Sequence, residues 1–230
     1  MEIPTPPKQP TIKHECVLGA SGSGKSHYIK TKIIPKYLRN KNVLKIIIDP
    51  DEDYDYLKLP SFNLKRLDFN KMVEDLKEKR SVRIIIPDPL TKDELKEKFE
   101  KLDELYMFIL KNYKKIYSYC KAKGMVILID EAHECGAHAK NISMPLVALL
   151  KRGRKRNIKV ILATQRVAYF STEIRSQCQI GTLFRVGDDT DKDRYKKISG
   201  EVLRLLESSK KEYPYVKIHT PTGKILEKNV

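Results

Sequence analysis

The sequence contains no tryptophan and only four cysteines among its 230 residues. The cysteines (Cys16, Cys120, Cys135 and Cys178) are scattered, with no C-x-x-C pair. That spacing argues against a disulfide framework and a thiolate zinc site. Long apolar runs are missing as well: no window reaches the roughly 18 consecutive apolar residues of a membrane-spanning helix. The opening stretch, MEIPTPPKQPTIKHE, is polar and proline-rich and lacks the apolar core of a secretion signal, so a cytosolic protein is expected. Neither internal repeats nor low-complexity tracts occur, and no Pro/Gly/Ser linker divides the chain. A flexible arm over 1–14 followed by a single domain over 15–230 is the expected organisation.

What is abundant is positive charge. There are 46 Lys+Arg against 30 Asp+Glu, a formal charge of +16. A surplus of that size favours polyanionic partners, nucleic acid first and anionic membrane second, although a lysine-rich solvated surface produces the same number. Hydrophobic residues, at 40%, suffice for a core.

Short apolar runs recur with helical segments between them. ECVLG (15–19), VLKIIID (43–49), VRIIIP (82–87), MVILID (125–130), IKVILAT (158–164) and IGTLFRV (180–186) have strand length and continuous apolarity. Such runs alternating with helices predict an α/β fold, a mostly parallel sheet with helices on both faces. Helices are expected over 25–39, near 70–80, 143–156 and 190–207, and from a Thr91/Glu94 capping box to a stop at Gly124. The stripe from Leu95 to Tyr117 in that last helix reads as core. The tail reads as a C-terminal β-hairpin turning at Pro221–Gly223.

GASGSGKS fits G-x-x-x-x-G-K-[ST] in full and lies between a strand and a helix, as a P-loop requires. Gly19, Ala20, Ser21, Gly22, Ser23, Gly24, Lys25 and Ser26, with His27 next, are therefore the candidate nucleotide-binding residues. Glycines let the backbone wrap a phosphate closely, and the helix N-terminus adds partial positive charge. Lys25 would reach the β- and γ-phosphates, and Ser26 would place its hydroxyl on Mg²⁺. ATP and Mg²⁺ are the expected cofactors. VILIDEAH (126–133) delivers Asp130 and Glu131 at a strand end, where α/β sheets bind ligands. Asp130 is the candidate metal residue, acting through water, and Glu131 the candidate base for the attacking water. ATQR (163–166) ends another strand; if that strand lies between the other two, Gln165 points at the γ-phosphate and orients the water. Upstream, five of the six residues Lys151–Arg156 are basic. They read as an arginine finger supplied to a neighbouring subunit, as a DNA-backbone contact, or as a solvated helix end.

With these elements in this order, the chain resembles the HerA/FtsK superfamily of DNA-pumping ATPases over residues 15 to 190. Its size resembles the genome-packaging ATPases of tailless icosahedral viruses with internal membranes, such as the turreted viruses of thermophilic archaea. The resemblance implies a RecA-like core, a homo-oligomeric ring of six, and double-stranded DNA as partner. It also implies capsid or membrane-vertex contacts and a location in the host cytoplasm or on the virion. It places the trans finger on Arg154 and a nucleotide sensor on Arg185. IIIDPDEDY (46–54) carries Asp53 where the family pattern has Glu, and Val167 stands where it has Pro.

The leading expectation is thus a motor coupling ATP hydrolysis to the packaging of double-stranded DNA. The alternatives are a cellular HerA-like translocase or helicase, a conjugation ATPase, a P-loop small-molecule kinase, and a nucleotide-gated binding protein. HECGAH (133–138) looks metal-binding, but His133 and His138 are spaced i,i+5 and not i,i+4, which would turn them to different faces of a helix. Three readings stay open: a metal held from a loop by His133, Cys135 and His138, a link through His133 beside Glu131 from nucleotide state to DNA contact, and an ordinary polar loop residue. Cys16 and Cys178 read as core residues.

Overall fold

The computed structural model describes residues 12–230. Most of the expected arm lies outside them. Its last residue, His14, is fully buried: its Nε2 stands 2.8 Å from the Leu150 carbonyl, and its Nδ1 accepts from the Val160 amide at 3.0 Å.

The elements in chain order are β1 (Glu15–Leu18) and a P-loop helix of three parts: α1 (Lys25–Tyr28), a π segment (Ile29–Ile33) and α2 (Ile34–Leu38). Then come β2 (Val43–Asp49), β3 (Ser61–Asn63), α3 (Phe69–Lys79), β4 (Ser81–Ile85), α4 (Lys92–Cys120) and β5 (Gly124–Ile129). A two-residue pairing of β6 (Ala137–His138) with β7 (Asn141–Ile142) precedes α5 (Met144–Gly153) and β8 (Ile158–Thr164). The chain closes with α6 (Thr172–Ser176), β9 (Ile180–Phe184), α7 (Asp189–Ser208), β10 (Tyr215–His219) and β11 (Lys224–Asn229).

The main sheet has nine strands in the order β11-β10-β9-β1-β8-β5-β2-β4-β3. From β9 to β3 every pairing is parallel; β10 and β11 add an antiparallel hairpin beside β9. This is the expected fold class. Because side chains alternate across a strand, the core divides into two layers. Leu44, Ile46, Ile48, Ile127, Ile129, Val160 and Leu162 pack with α3, α4, α5 and α7. Val17, Ile47, Leu128, Ile161 and Phe184 face Tyr28, Ile29, Ile33 and Ile34 of the P-loop helix.

All six expected strands form, and the capping box is complete: Glu94 N–H donates to Thr91 Oγ1 at 3.1 Å, and Thr91 N–H to Glu94 Oε2 at 3.2 Å. The helix it starts ends at Cys120, earlier than expected, with Lys121 in the left-handed conformation as cap. Gly124 opens β5 instead. A Cβ there would lie 2.7 Å from the Asn157 side chain, so close packing, not helix termination, accounts for the glycine. Ser199 leaves helical geometry and kinks α7. Three short strands (β3, β6 and β7) went unexpected.

Two buried tyrosines brace the ends of the strands that carry chemistry. Tyr195 of α7 donates to the Leu18 carbonyl at 2.7 Å, at the last residue of β1. Tyr106 of α4 donates to the Cys135 carbonyl at 2.8 Å, beneath the turn after β5. Each ties a strand's C-terminal end to the helical layer.

Candidate active site

β1, β8, β5 and β2 are consecutive in the sheet and parallel, so their C-terminal ends share one edge. The loop after each strand contributes to a single open cavity of about 410 Å³. Ser21, Gly22, Gly24, Lys25, Ser26 and His27 come from the loop after β1, Asp51 and Asp53 from the turn after β2, Asp130 and Glu131 from β5, and Gln165 from β8. Tyr213 completes the rim. The expected P-loop, acidic pair and glutamine therefore converge, and β8 lies between β1 and β5 as the Gln165 reading requires.

The P-loop is held from below. Ala20 N–H donates to the Arg185 carbonyl at 2.8 Å, and Gly19 packs so tightly that a Cβ would stand 2.5 Å from Phe184 Cβ. Gly24 has φ 99°, which favours glycine, and leads directly into the helix. The first amides of that helix have no carbonyl one turn back, so they are free to donate to an anion. Lys25 is buried, and its Nζ donates to the Ala20 carbonyl at 2.9 Å. Burial lowers its pKa; Glu131 and Asp130 pull the other way. The ammonium thus has acidic neighbours and a carbonyl to leave when a phosphate arrives.

Burial pushes Asp130 up to about 6 despite the hydrogen bond from Tyr54, with the Glu131 charge adding to the rise. Asp51 is raised too, by burial and by the surrounding carboxylates. Four carboxyls (Asp51, Asp53, Asp130 and Glu131) thus share the cavity with Lys25. Among the described residues, no group of three or more His, Cys, Asp or Glu side chains is arranged to hold a metal ion. The set present, a hydroxyl from Ser26 and a carboxylate from Asp130, still fits Mg²⁺, which keeps several waters and takes few protein ligands.

Glu131 sits at φ 38°, a strained conformation for a residue with a side chain. Its carboxylate is held on two sides. Gln165 N–H donates to Oε2 at 3.3 Å, and His133 Nδ1 lies 3.2 Å from the same oxygen. His133 Nδ1 also stands 3.0 Å from Thr164 Oγ1, so one imidazole joins the acidic strand end to the glutamine strand end. That contact accounts for part of HECGAH. His138 is elsewhere: its ring meets Tyr169, and its Nδ1 accepts from Lys140 N–H.

Two sequence candidates are not brought to the cavity. The Arg185 guanidinium points to the end of α7, where it donates to the Leu206 carbonyl at 3.2 Å and to the Ser209 carbonyl. Only its backbone touches the P-loop, so the expected sensor is here a brace. Arg154 lies in a single helical turn (Arg154–Arg156) before β8, close enough to His14 to help lower that imidazole's pKa. This is the edge opposite Lys25, seven strand residues or about 23 Å away. Arg154 cannot serve the cavity of its own chain.

Sequence reasoning missed Asp51, Tyr54 and Tyr213. Tyr54 is wholly buried and bonded to Asp130. The turn carrying Asp51 and Tyr54 is fixed through Asp49, which accepts from the amides of Asp53 (2.9 Å) and Tyr54 (3.1 Å) and pairs with buried Arg83 at 3.3 Å.

The family model for the central domain of helicase HerA matches residues 11–104. No curated protein sequence matches the chain. Among solved structures, the genome packaging NTPase B204 of Sulfolobus turreted icosahedral virus 2, in complex with AMPPCP, superposes with a TM-score of 0.70 at 20% identity, over 96% of this chain and 98% of that one. B204 of Sulfolobus turreted icosahedral virus gives 0.69 at 21% identity, over 95% and 97%. VirB4 of Thermoanaerobacter pseudethanolicus gives 0.65 at 14%, over 94% and 88%. The fold is that of the solved ATPase structures it superposes on.

Proposed function

We propose that this protein is a magnesium-dependent ATPase motor that moves double-stranded DNA, packaging a viral genome into its capsid. The observation that carries the reading is the placement of Lys25 and Glu131 in one cavity, with Gln165 N–H holding the carboxylate. A phosphate cradle alone binds nucleotide; a carboxylate opposite it hydrolyses. ATP phosphates would lie on the P-loop amides and Lys25. Mg²⁺, held by Ser26 and through water by Asp130, would neutralise charge on the phosphate oxygens. Glu131 takes a proton from the attacking water, and Gln165 orients that water.

The packaging reading rests on likeness in fold and length to B204, together with the +16 charge. It carries with it a homo-oligomeric ring, probed below through Arg154, and action in the host cytoplasm or at the assembling capsid. No helix among the described residues is long and apolar enough to cross a membrane, so a membrane-vertex contact would be peripheral. The likeness to VirB4 favours a second reading, a conjugation-type ATPase with the same engine.

The test is ATP hydrolysis with and without duplex DNA, run beside mass measurement of the assembly. DNA stimulation in a ring is expected. Binding should be independent of sequence and fall steeply with salt, each neutralised phosphate adding about 0.9 to the log–log slope. A flat salt response, or tight preference for one sequence, overturns the DNA-motor reading.

A further inference from the structure

The Glu131 carboxylate lines the phosphate cavity, yet part of what aims it lies outside that cavity. Gln165 N–H donates to Oε2 at 3.3 Å, beyond the usual span of such a bond, and His133 Nδ1 stands 3.2 Å from the same oxygen. Among the described residues both of these groups meet Oε2 and none meets Oε1. The Glu131 backbone is fixed as well: its N–H donates to Asp130 Oδ1 at 3.0 Å, and its carbonyl accepts from Glu134 N–H at 2.7 Å. What remains to be held is the side chain.

The His133 side chain is only 12% exposed, and it lines a different cavity, of about 520 Å³, with Glu134, His138, Arg166 and Tyr169. Its ring stands between two strand ends. Nδ1 lies 3.0 Å from Oγ1 of Thr164, the last residue of β8, and that oxygen accepts from Arg166 N–H at 3.1 Å. Nε2 faces Glu134 Oε1 at 3.8 Å. These neighbours decide the tautomer. A lone pair on Nδ1 would face a carboxylate oxygen, acceptor against acceptor, so the network assigns the proton to Nδ1. Nδ1–H then points between Glu131 Oε2 and Thr164 Oγ1, and the bond to the charged oxygen is the stronger.

Resting on the hydrolytic reading above, we propose that His133 is a positioning residue for the base. Its Nδ1–H and the Gln165 amide together occupy Oε2, which leaves Oε1 as the oxygen presented to the attacking water. As the water oxygen bonds the γ-phosphorus and the bond to the β-phosphate oxygen breaks, the water proton passes to Oε1. The ring acts only through Glu131, by removing the freedom of a long side chain that one 3.3 Å bond would hold loosely. Thr164 anchors the ring to β8, the strand that leads into Gln165, so the base and the water-orienting group are set by one connected unit.

ATP turnover and equilibrium ATP binding, measured side by side in variants, test this. His133→Leu fills similar space without a donor and should lower kcat about 10²-fold, the size of a misplaced reacting group, with KM and ATP affinity unchanged. His133→Asn carries an amide N–H where Nδ1–H stood and should recover most of the rate. Adding His133→Leu to Glu131→Gln should cost little more, because the two act as a unit. Should His133→Leu not fold, His133→Gln replaces it: its amide reaches the Nε2 position and should not restore the rate. Parental kcat in His133→Leu, equal loss in the Leu and Asn variants, ATP affinity falling in step with rate, or a full further loss in the double variant each overturns the proposal and leaves Glu131 as base. If Glu131→Gln turns over ATP at the parent's rate, the base reading itself falls and takes this one with it.

Discussion

The Tyr54 hydroxyl donates to Asp130 Oδ2 at 2.5 Å, joining the turn after β2 to the end of β5 inside the core. The bond opposes the burial that raises the carboxyl. Tyr54→Phe should therefore push Asp130 above 6. The expected outcome is an acidic limb of the hydrolysis pH profile displaced upward and a severalfold greater magnesium requirement near neutrality. A full pH profile at several magnesium concentrations reads both; an unchanged limb would separate Asp130 from metal binding.

Lys25→Ala and Glu131→Gln should both abolish hydrolysis, but by different routes. The first removes charge from the cradle, so ATP affinity falls. The second keeps shape and cannot take a proton, so ATP binds and stays uncleaved, with turnover down about 10²–10⁴-fold. Equilibrium binding measured beside turnover distinguishes them. Hydrolysis at the unmodified rate in Glu131→Gln would remove it from the role of base.

Asp130 should cost the empty protein stability. Its folded pKa of about 6 lies above the ordinary 3.8, so its proton favours folding below about pH 4, and that benefit is lost as pH rises through 6. Asp130→Asn should then be more stable than the parent by about 3 kcal/mol at pH 7.5 and no more stable near pH 4. Urea unfolding at the two pH values measures the difference, and the same variant should lose magnesium-dependent turnover.

Arg154 lies at the wrong edge to act on its own chain's nucleotide, so any catalytic role must be in trans. Arg154→Ala should bind ATP normally and hydrolyse it about 10³–10⁵-fold more slowly. Mixing it with Glu131→Gln should restore activity, because some interfaces then carry an intact base and an intact arginine. A dead mixture that demonstrably co-assembles would assign the 151–156 run to DNA contact or to simple solvation.

The strands, the P-loop, Asp130–Glu131 and Gln165 were legible because each signal is local: a continuous apolar run or a fixed spacing. Tyr54 and Asp51 were not, because their roles come from the β2–β5 pairing and not from neighbours in sequence. Tyr213 lies nearly 190 residues from Gly24 and reaches it only because β10 pairs with β9, beside β1. β3 is three residues long with one buried side chain, Phe62, too little to show a period. Arg185 was legible as a position and not as a direction; the α7 carbonyls that claim its guanidinium come from beyond the kink at Ser199.

β8 runs without interruption from the basic turn and the buried His14 to Thr164 and Gln165. It is clamped on one side by β1 and on the other by β5. Mechanically it is a stiff rod in the middle of a stiff plate. Pairing on both sides holds the Gln165 end and the Arg154 end of this strand at a fixed spacing, so the basic turn and the acidic cavity are presented on opposite edges of one sheet.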